Sequence, residues 1–328
     1  MRSSNSNFTQ ALEDIIRVLP PRFHEFVQEF CLNILKIAAH PDKLHPLLLQ
    51  FAQLTVEQAV VPFEFSPYHQ AIRTPIDYYQ LGLDLISPLI DFQNSSVRGL
   101  DHLDAMDVAL RKKENVILFA NHQIEADPQV ISLLLKDGYP SIAENLIFVA
   151  GERVTTDPMA IPFSMGRNLL CIYSKKYIDN PPENQLKKQL HNKATMLKMS
   201  GLLEQGGHII YVAPSGGRDR PGPSGKVEVA PFDPQSIEMF YLMARRAKIK
   251  THFHPLALST FDLMPPPGAR QTTLGEKRQL GYFPAHLFFG PAIDMESFIA
   301  EDKHALRFLR CSAIFDLVVK QYQDIGNP

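Results

Sequence analysis

The fold is decided by the stretch Val116-Ile117-Leu118-Phe119-Ala120-Asn121-His122-Gln123-Ile124-Glu125-Ala126-Asp127-Pro128. Its first five residues form an apolar run that predicts a β-strand. Asp127-Pro128 is a good helix start, with an aspartate at the cap and a proline at the first helical position. The stretch therefore predicts a strand, a polar loop and a helix in succession.

The same succession recurs along the chain after Asp91. Short β-rich runs alternate with helical stretches, which predicts an α/β fold with a largely parallel mixed sheet flanked by helices. The predicted strands are Val116–Ala120, Leu146–Ala150, Leu169–Tyr173, Ile209–Ala213 and Phe253–Leu258. The predicted helices are Asp101–Lys113, Pro128–Lys136, Glu183–Glu204, Pro234–Lys248 and Asp302–Gln323. The polar region Gly268 to Gly281 is expected to be mobile.

The first ninety or so residues have a different pattern. Apolar residues recur at helical spacing between Phe23 and Ile37, and two further helical stretches run over Asp42–Val61 and Ile76–Ile90. Short helices with apolar stripes predict a small N-terminal helical bundle. The proline-rich segment from 62 to 75 is interpreted as a linker. We therefore expect a helical bundle domain over 1–73 and an α/β catalytic domain over 74–328.

Composition excludes several classes of protein. Lys and Arg total 33 against 35 Asp and Glu, a net charge of −2, which argues against general nucleic-acid binding. The polar N-terminus lacks a signal core, and no apolar run approaches the roughly 18 residues that span a bilayer. Membrane contact is therefore expected to be peripheral at most. The cysteines, Cys31, Cys171 and Cys311, make no metal or disulfide pattern, which is typical of a reducing cytoplasm.

Polar side chains follow four of the predicted strands. These are His122 and Asp127, then Gly151-Glu152-Arg153, then Ser174-Lys175-Lys176, and then Ser215 to Arg220. In a parallel sheet, functional groups gather beyond the carboxyl ends of the strands. If the strands are parallel neighbours, one edge of the sheet collects a histidine, an aspartate and several cations.

The pair His122 and Asp127 has the composition of a proton-transfer site. An imidazole moves protons near neutral pH, and a carboxylate can fix its tautomer and stabilise its cation. The alternative is that Asp127 serves only as a helix cap. A second alternative adds Glu125 as a third ligand of a metal ion, as in a metal-assisted phosphoester hydrolase. Without a metal, Glu125 would be a hydrogen-bond acceptor in the same loop.

The turn Gly216-Gly217-Arg218-Asp219-Arg220 has the composition of an anion site. Adjacent glycines let backbone amides approach an anion, and two arginines can both reach a phosphate. The alternative is a surface loop whose arginines pair with local acids such as Asp219. Lys175 and Lys176 could likewise be a solvated pair.

Several blocks together resemble the soluble, plastid-type glycerol-3-phosphate 1-O-acyltransferases. Residues 121–128 fit the H-x4-D motif, and residues 151–154 fit the second block. The third block is Ile210 to Pro221, with the core Pro-Ser-Gly-Gly-Arg-Asp-Arg-Pro, and the fourth is residues 254–258. The third block is highly specific to the soluble branch. The family also has a small N-terminal helical domain, so the resemblance extends over the whole chain.

The resemblance implies roles for individual residues. His122 would be the catalytic base and Asp127 its partner, while Lys176, Arg218 and Arg220 would bind the phosphate of glycerol 3-phosphate. We also expect further substrate-binding residues on the same edge: Glu125, Lys175, Tyr177, Arg153 and Ser215. Plant members usually carry a histidine after the lysine pair, where Tyr177 stands here, so a weaker or differently shaped phosphate site is expected. Their transit peptide is also absent, as in a bacterial relative or a trimmed mature chain.

The resemblance further implies the reaction. A fatty acyl group would pass from an acyl thioester to the 1-hydroxyl of glycerol 3-phosphate, as the first step of phospholipid synthesis. Acyl carrier protein is the expected thiol carrier, with coenzyme A as the other possibility, and neither a metal nor a cofactor is required. We expect an apolar groove for the acyl chain where the helical domain meets the sheet. The competing hypotheses are the metal-assisted hydrolase and a non-catalytic binder of anionic lipid.

Overall fold

The computed structural model describes residues 2–174, 178–267 and 275–325. The helices, in chain order, are α1 Arg2–Ile16, α2 Pro21–Ile37, α3 His45–Val60, α4 Tyr78–Ile86, α5 Leu100–Arg111, α6 Asp127–Leu135, α7 Pro140–Asn145, α8 Glu152–Thr156, α9 Ile161–Met165, α10 Gln185–Gln205, α11 Pro234–Ala247 and α12 Lys303–Ile325. The strands are β1 Tyr68–His69, β2 Ser96–Arg98, β3 Asn115–Ala120, β4 Ile147–Gly151, β5 Asn168–Ile172, β6 Ile209–Val212, β7 Arg220–Pro221, β8 Val227–Glu228, β9 Thr251–Ser259 and β10 His286–Phe289.

The main sheet has the strand order β1-β5-β4-β6-β3-β9-β10-β2. The five strands from β5 to β9 in that order are mutually parallel, and β1 and β10 pair antiparallel with their neighbours β5 and β9. The α/β fold with a largely parallel mixed sheet is therefore confirmed. The carboxyl ends of the five parallel strands lie at one edge of the sheet, which we call the catalytic edge.

Helices cover both faces of the sheet because alternate residues of each strand point to opposite sides. On one face, Ile117 and Phe119 of β3 pack with α10, α11 and α12. On the other face, Val116 and Leu118 pack with α5, α6 and α7. Both faces are buried, so β3 is apolar at every position from 116 to 120 and shows no polar alternation.

The N-terminal helices pack beyond α6, on the same side of the sheet as α5 and α7. One apolar cluster joins α1, α2 and α3 to α4, α6 and α9. Gly166 allows part of this packing, because a Cβ there would lie 2.4 Å from the backbone carbonyl carbon of Tyr78 in α4. The N-terminal helical region is thus present, while the division into domains at residues 73 and 74 stays a prediction.

Several elements were not predicted from the sequence. The segment from 62 to 75, expected to be a linker, contains β1, whose Tyr68 and His69 pair with β5. Helix α1 and the strands β2 and β10 were also missing from the predicted elements. Strands of two to four residues are too short to show a period, so pairing with a neighbour decides them. None of the described helices has both the length and the apolar character needed to cross a bilayer.

Candidate active site

The side chains of His122 and Asp127 meet at the catalytic edge. His122 follows β3 in the loop, and Asp127 begins α6, so the turn between them brings the two together. His122 Nδ1 lies 2.8 Å from Asp127 Oδ2. The backbone N–H groups of Gln123 and Ile124 donate to the same oxygen, at 2.8 and 3.2 Å. The hydroxyl of Thr260 donates to Oδ1 at 2.6 Å. The carboxylate is therefore fixed in position and orientation.

This geometry fixes the tautomer of His122. Asp127 is buried. Because an ionised carboxylate can only accept hydrogen bonds, Nδ1 of His122 carries the proton and donates it. Nε2 is then the basic nitrogen that can face a substrate. The imidazole is partly exposed and lines a cavity at this edge. The arrangement suits a general base whose cation is stabilised by the carboxylate behind it.

Asp219 holds the histidine loop to the turn after β6. Its backbone N–H donates to the carbonyl of His122 at 2.7 Å. Its carboxylate accepts from the side-chain amides of Asn121, at 2.7 Å, and Gln123, at 3.2 Å. Burial raises the pKa of Asp219 to about 6, although hydrogen bonds from Ala230, Asn121 and Gln123 oppose the shift. The alternative in which Asp219 pairs with the neighbouring arginines is wrong, because its oxygens face these amides.

Arg153 and Arg218 converge on one carboxylate. Arg218 Nη2 lies 2.8 Å, and Arg153 Nη2 3.1 Å, from the same Oε2 of Glu276. Arg153 lies in α8, directly after β4, and Arg218 lies in the turn after β6, so the parallel sheet brings them to one edge. Glu276 is almost fully buried. This corner of the site therefore binds an anion, here a carboxylate of the chain itself.

Glu125 faces a different arginine. Arg278 donates to its Oε2 from Nε at 2.9 Å, and Nη2 lies 2.8 Å from the same oxygen. Burial alone would raise the pKa of Glu125, but the charges of Arg278, Arg218 and Arg153 lower it overall. Within the described ranges, no three imidazole, thiol or carboxyl groups converge as metal ligands do. The ligand set of the metal hypothesis is therefore not assembled in this arrangement.

The segment that carries Glu276 and Arg278 was expected to be mobile. Residues 268–274 lie outside the described residues, but 275–281 are fixed by contacts. The backbone N–H of Gly275 donates to Asp157 at 3.1 Å, and Lys277 forms an ion pair of 2.7 Å with Glu29 of α2. The expectation is wrong for this half of the segment, because its charged side chains pair across the site.

The remaining predicted residues have different fates. Arg220 donates from Nη1 to the carbonyl of Pro267, and the hydroxyl of Ser215 donates to the carbonyl of Gly217 at 2.8 Å. Ser215 thus closes its own turn. Lys175, Lys176 and Tyr177 lie outside the described residues, so their predicted roles are not tested.

An apolar cavity opens beside the catalytic pair. Its volume is about 130 Å³. By the same measure of volume, a cavity that holds one water molecule needs roughly 10–15 Å³. His122, Glu125 and Arg278 line one part of it, and the rest is lined mainly by apolar side chains, including Phe30, Phe148, Phe163 and Leu169. Phe30 belongs to α2, whereas Phe148 and Leu169 belong to the sheet. The cavity therefore lies where the N-terminal helices meet the sheet.

Sequence reasoning missed Thr260, Glu276 and Arg278. Thr260 directly follows β9, so the rule that placed His122 and Arg218 at the strand ends could also have placed Thr260. Glu276 and Arg278 follow no strand, and no local pattern separates them from surface charges. Only their buried contacts identify them.

The comparison with protein-family models gives one match in this region. A model described as acyltransferase matches residues 96–259, which is half of the chain. The chain belongs to the acyltransferase family. The matched range runs from β2 to β9 and so contains four residues of the candidate site: His122, Asp127, Arg153 and Arg218.

The chain is also similar to curated plant proteins. It is 45% identical over 264 residues to glycerol-3-phosphate acyltransferase ATS12, chloroplastic, of Cucurbita moschata, covering 80% of this chain and 57% of the relative. It is 41% identical over 269 residues to glycerol-3-phosphate acyltransferase, chloroplastic, of Arabidopsis thaliana, covering 81% and 59%. The chain thus spans less than two thirds of the length of these relatives.

A solved structure was matched as well. It is the 1-acyl-sn-glycerophosphate acyltransferase of Thermotoga maritima, with a TM-score of 0.46 and 16% identity, covering 100% of this chain and 98% of that chain.

Proposed function

We propose that the protein transfers a fatty acyl group from an acyl thioester to the 1-hydroxyl of glycerol 3-phosphate, giving 1-acylglycerol 3-phosphate. The observation that carries the proposal is the position of the His122–Asp127 pair. The pair lines the apolar cavity, and the backbone N–H of Asp219, the residue after Arg218, donates to the carbonyl of His122. A long-chain acyl group needs an apolar cavity, and a phosphate needs cationic partners such as arginines.

In the proposed reaction, Nε2 of His122 takes the proton of the 1-hydroxyl as its oxygen attacks the thioester carbonyl carbon. Asp127 stabilises the imidazolium that forms. The C–S bond then breaks, and the leaving thiolate takes the proton from Nε2. A new C–O ester bond has replaced the thioester, and the histidine returns to its starting state.

The phosphate would bind at the corner formed by Arg153 and Arg218, with Arg220 close by in the chain. Glu276 already occupies both guanidinium groups, which supports an anion-binding role for this corner. A phosphate carries more charge and more acceptor oxygens than a carboxylate, so it can replace Glu276 as their partner. Lys175, Lys176 and Tyr177 are proposed to complete the phosphate site.

The cavity would hold the acyl chain. Its apolar lining removes the methylene groups of the chain from water, which stabilises the bound state by about 0.8 kcal/mol for each buried CH₂. Acyl carrier protein is the proposed donor, with coenzyme A as the alternative. The names of the plant relatives support the acceptor. A cytoplasmic location stays a prediction.

The test is an assay with labelled glycerol 3-phosphate and acyl thioesters of acyl carrier protein and of coenzyme A. His122→Ala should lose most turnover while glycerol 3-phosphate still binds. Arg218→Ala should mainly raise the KM for glycerol 3-phosphate. Arg246→Ala is the matched control, because Arg246 is an exposed arginine of α11, which packs on the opposite face of the sheet. Full turnover by the histidine variant, or no transfer from either thioester by the unmodified protein, would refute the proposal.

A further inference from the structure

One part of the cavity wall carries polar atoms that lack partners. Arg167 and Gln129 both line the cavity, and their exposed fractions are 3% and 2%. Nη1 of Arg167 donates to the hydroxyl of Ser132 at 2.6 Å. Nε and Nη2 of Arg167, and Oε1 of Gln129, make no well-aligned hydrogen bond to the described residues. Besides His122, Glu125 and Arg278, the cavity lining thus includes two buried polar side chains, Arg167 and Gln129, which we call the polar wall.

The guanidinium of Arg167 also lacks a carboxylate. No described acid forms an ion pair with it; Tyr79 stabilises its charge through the ring, whose centroid lies 4.6 Å from Cζ, and through a side-chain hydrogen-bonding contact. Burial lowers the pKa of Arg167 to about 10, so the group is still charged at neutral pH. A buried charge without an opposite charge beside it is costly unless polar solvation reaches it.

The guanidinium of Arg167 lies away from the catalytic edge, whereas Gln129 lies two residues along α6 from Asp127. Asn168, which follows Arg167 at the start of β5, is level across the sheet with Ile147, Ile210 and Ile117. Ile117 precedes His122 by five residues in the chain. Three of these five steps, from Ile117 to Ala120, continue β3 and rise roughly 10 Å. The side chain of Arg167 reaches back to Ser132, five residues along α6 from Asp127, which is roughly 8 Å along the helix axis. The guanidinium is thus deep in the cavity, at about 8 Å or more from the catalytic pair.

We propose that the polar wall formed by Arg167 and Gln129 limits the length of the acyl chain that the cavity accepts. This inference rests on the proposed function, because it takes the cavity as the acyl site. A chain that ends before the wall buries only methylene groups against apolar side chains. A longer chain pushes its methyl end against the guanidinium and removes polar solvation from Nε and Nη2, the two atoms that have no aligned hydrogen bond. The limit is therefore chemical as well as steric.

The experiment replaces the polar groups with an apolar side chain of similar length. Arg167→Met and Gln129→Met are compared with the unmodified protein on saturated acyl thioesters from lauroyl to stearoyl. In both variants, the ratio of kcat/KM for stearoyl to that for lauroyl should rise about tenfold or more, since one methylene in a pocket is worth 10–200-fold. The KM for glycerol 3-phosphate should not change.

The controls separate this effect from a loss of stability. Gln321→Met replaces another buried glutamine with an unpartnered Oε1, in α12 on the opposite face of the sheet. Arg310→Met replaces another buried arginine, which is paired with Glu238 on that face. Both controls should leave the chain-length profile unchanged. If Arg167→Met does not fold, Gln129→Met decides the question.

Binding of the corresponding free fatty acids, measured by calorimetry, distinguishes the two levels of the proposal. If binding falls at a chain length that shifts in the variants, but no transfer occurs, the proposed function fails and the polar wall still limits chain length. If neither binding nor transfer changes its length dependence in a folded variant, the inference is wrong.

Discussion

Asp127→Asn tests the catalytic pair by removing a charge with almost no change in shape. In the protein, Oδ2 accepts from His122, Gln123 and Ile124, and Oδ1 accepts from Thr260. The asparagine carbonyl can take the place of Oδ2 and keep all three donors. Its NH₂ group then faces the hydroxyl of Thr260, which can turn and accept. We therefore expect the variant to fold with the histidine in its original position.

The expected loss of activity follows from the distance between the two groups. His122 Nδ1 and Asp127 Oδ2 are 2.8 Å apart, so the centres of charge of the imidazolium and the carboxylate are about 4 Å apart. At that separation a unit charge pair is worth about 4 kcal/mol at an effective dielectric constant of about 20. The imidazolium exists only as the proton is transferred, so this energy is lost from the transition state. Turnover should fall by about 10³-fold.

The assay measures kcat and KM for glycerol 3-phosphate, together with thermal unfolding. The KM should stay near its original value, because Asp127 lies behind the histidine. Glu238→Gln is the control, since it neutralises another carboxylate that is mostly buried and paired with Arg310 on the other face of the sheet. It should alter stability and leave kcat unchanged. A folded Asp127→Asn protein with turnover within about tenfold of the original would refute the charge argument.

Two further predictions concern stability. Burial raises the pKa of Asp219 from 3.8 to about 6, so its stabilising contribution is full below about pH 4 and is lost as the pH rises through about 6. Asp219→Asn should remove this pH dependence of the free energy of unfolding, which amounts to about 3 kcal/mol. Urea unfolding of both proteins at pH 4 and pH 7 measures it, and an equal pH dependence in the two contradicts the assignment. Gly166→Ala should cost about 1–3 kcal/mol or more in unfolding free energy, because the new Cβ meets the backbone of Tyr78 at 2.4 Å. Gly201 lies in α10, and a Cβ added there would have no atom within 4 Å, so Gly201→Ala should instead stabilise the protein by roughly 0.5–1 kcal/mol. Comparable melting temperatures for the two variants would show that the close packing at Gly166 is unimportant.

The sequence predicted those features that depend on local pattern. The five predicted strands are confirmed to within two residues at each end, because runs such as 116–120 are apolar and bounded by polar turns. Once the strands are parallel, their carboxyl ends lie together, so the placement of His122, Arg153 and Arg218 at one edge followed from chain order. The contact between His122 and Asp127 could also be predicted, since the two residues are only five positions apart in the chain.

The sequence could not decide which charged groups pair. Arg153, Arg218 and Arg278 are chemically alike, and several acids lie within reach of the same edge. Only the folded chain shows that Glu276 holds Arg153 and Arg218, while Glu125 holds Arg278. Ion pairing depends on distances between segments 58 or more residues apart, and composition does not contain those distances.

What the sequence alone determined is therefore the type of fold and the edge at which chemistry can occur, because hydrophobic periodicity and strand ends are local properties. The tertiary structure decided the cavity, the partners of Asp219 and the polar wall at Arg167 and Gln129. Each of these is formed where α2, α6, α9 or a loop meets the sheet, and a cavity or a buried unpaired charge exists only in the packing between elements.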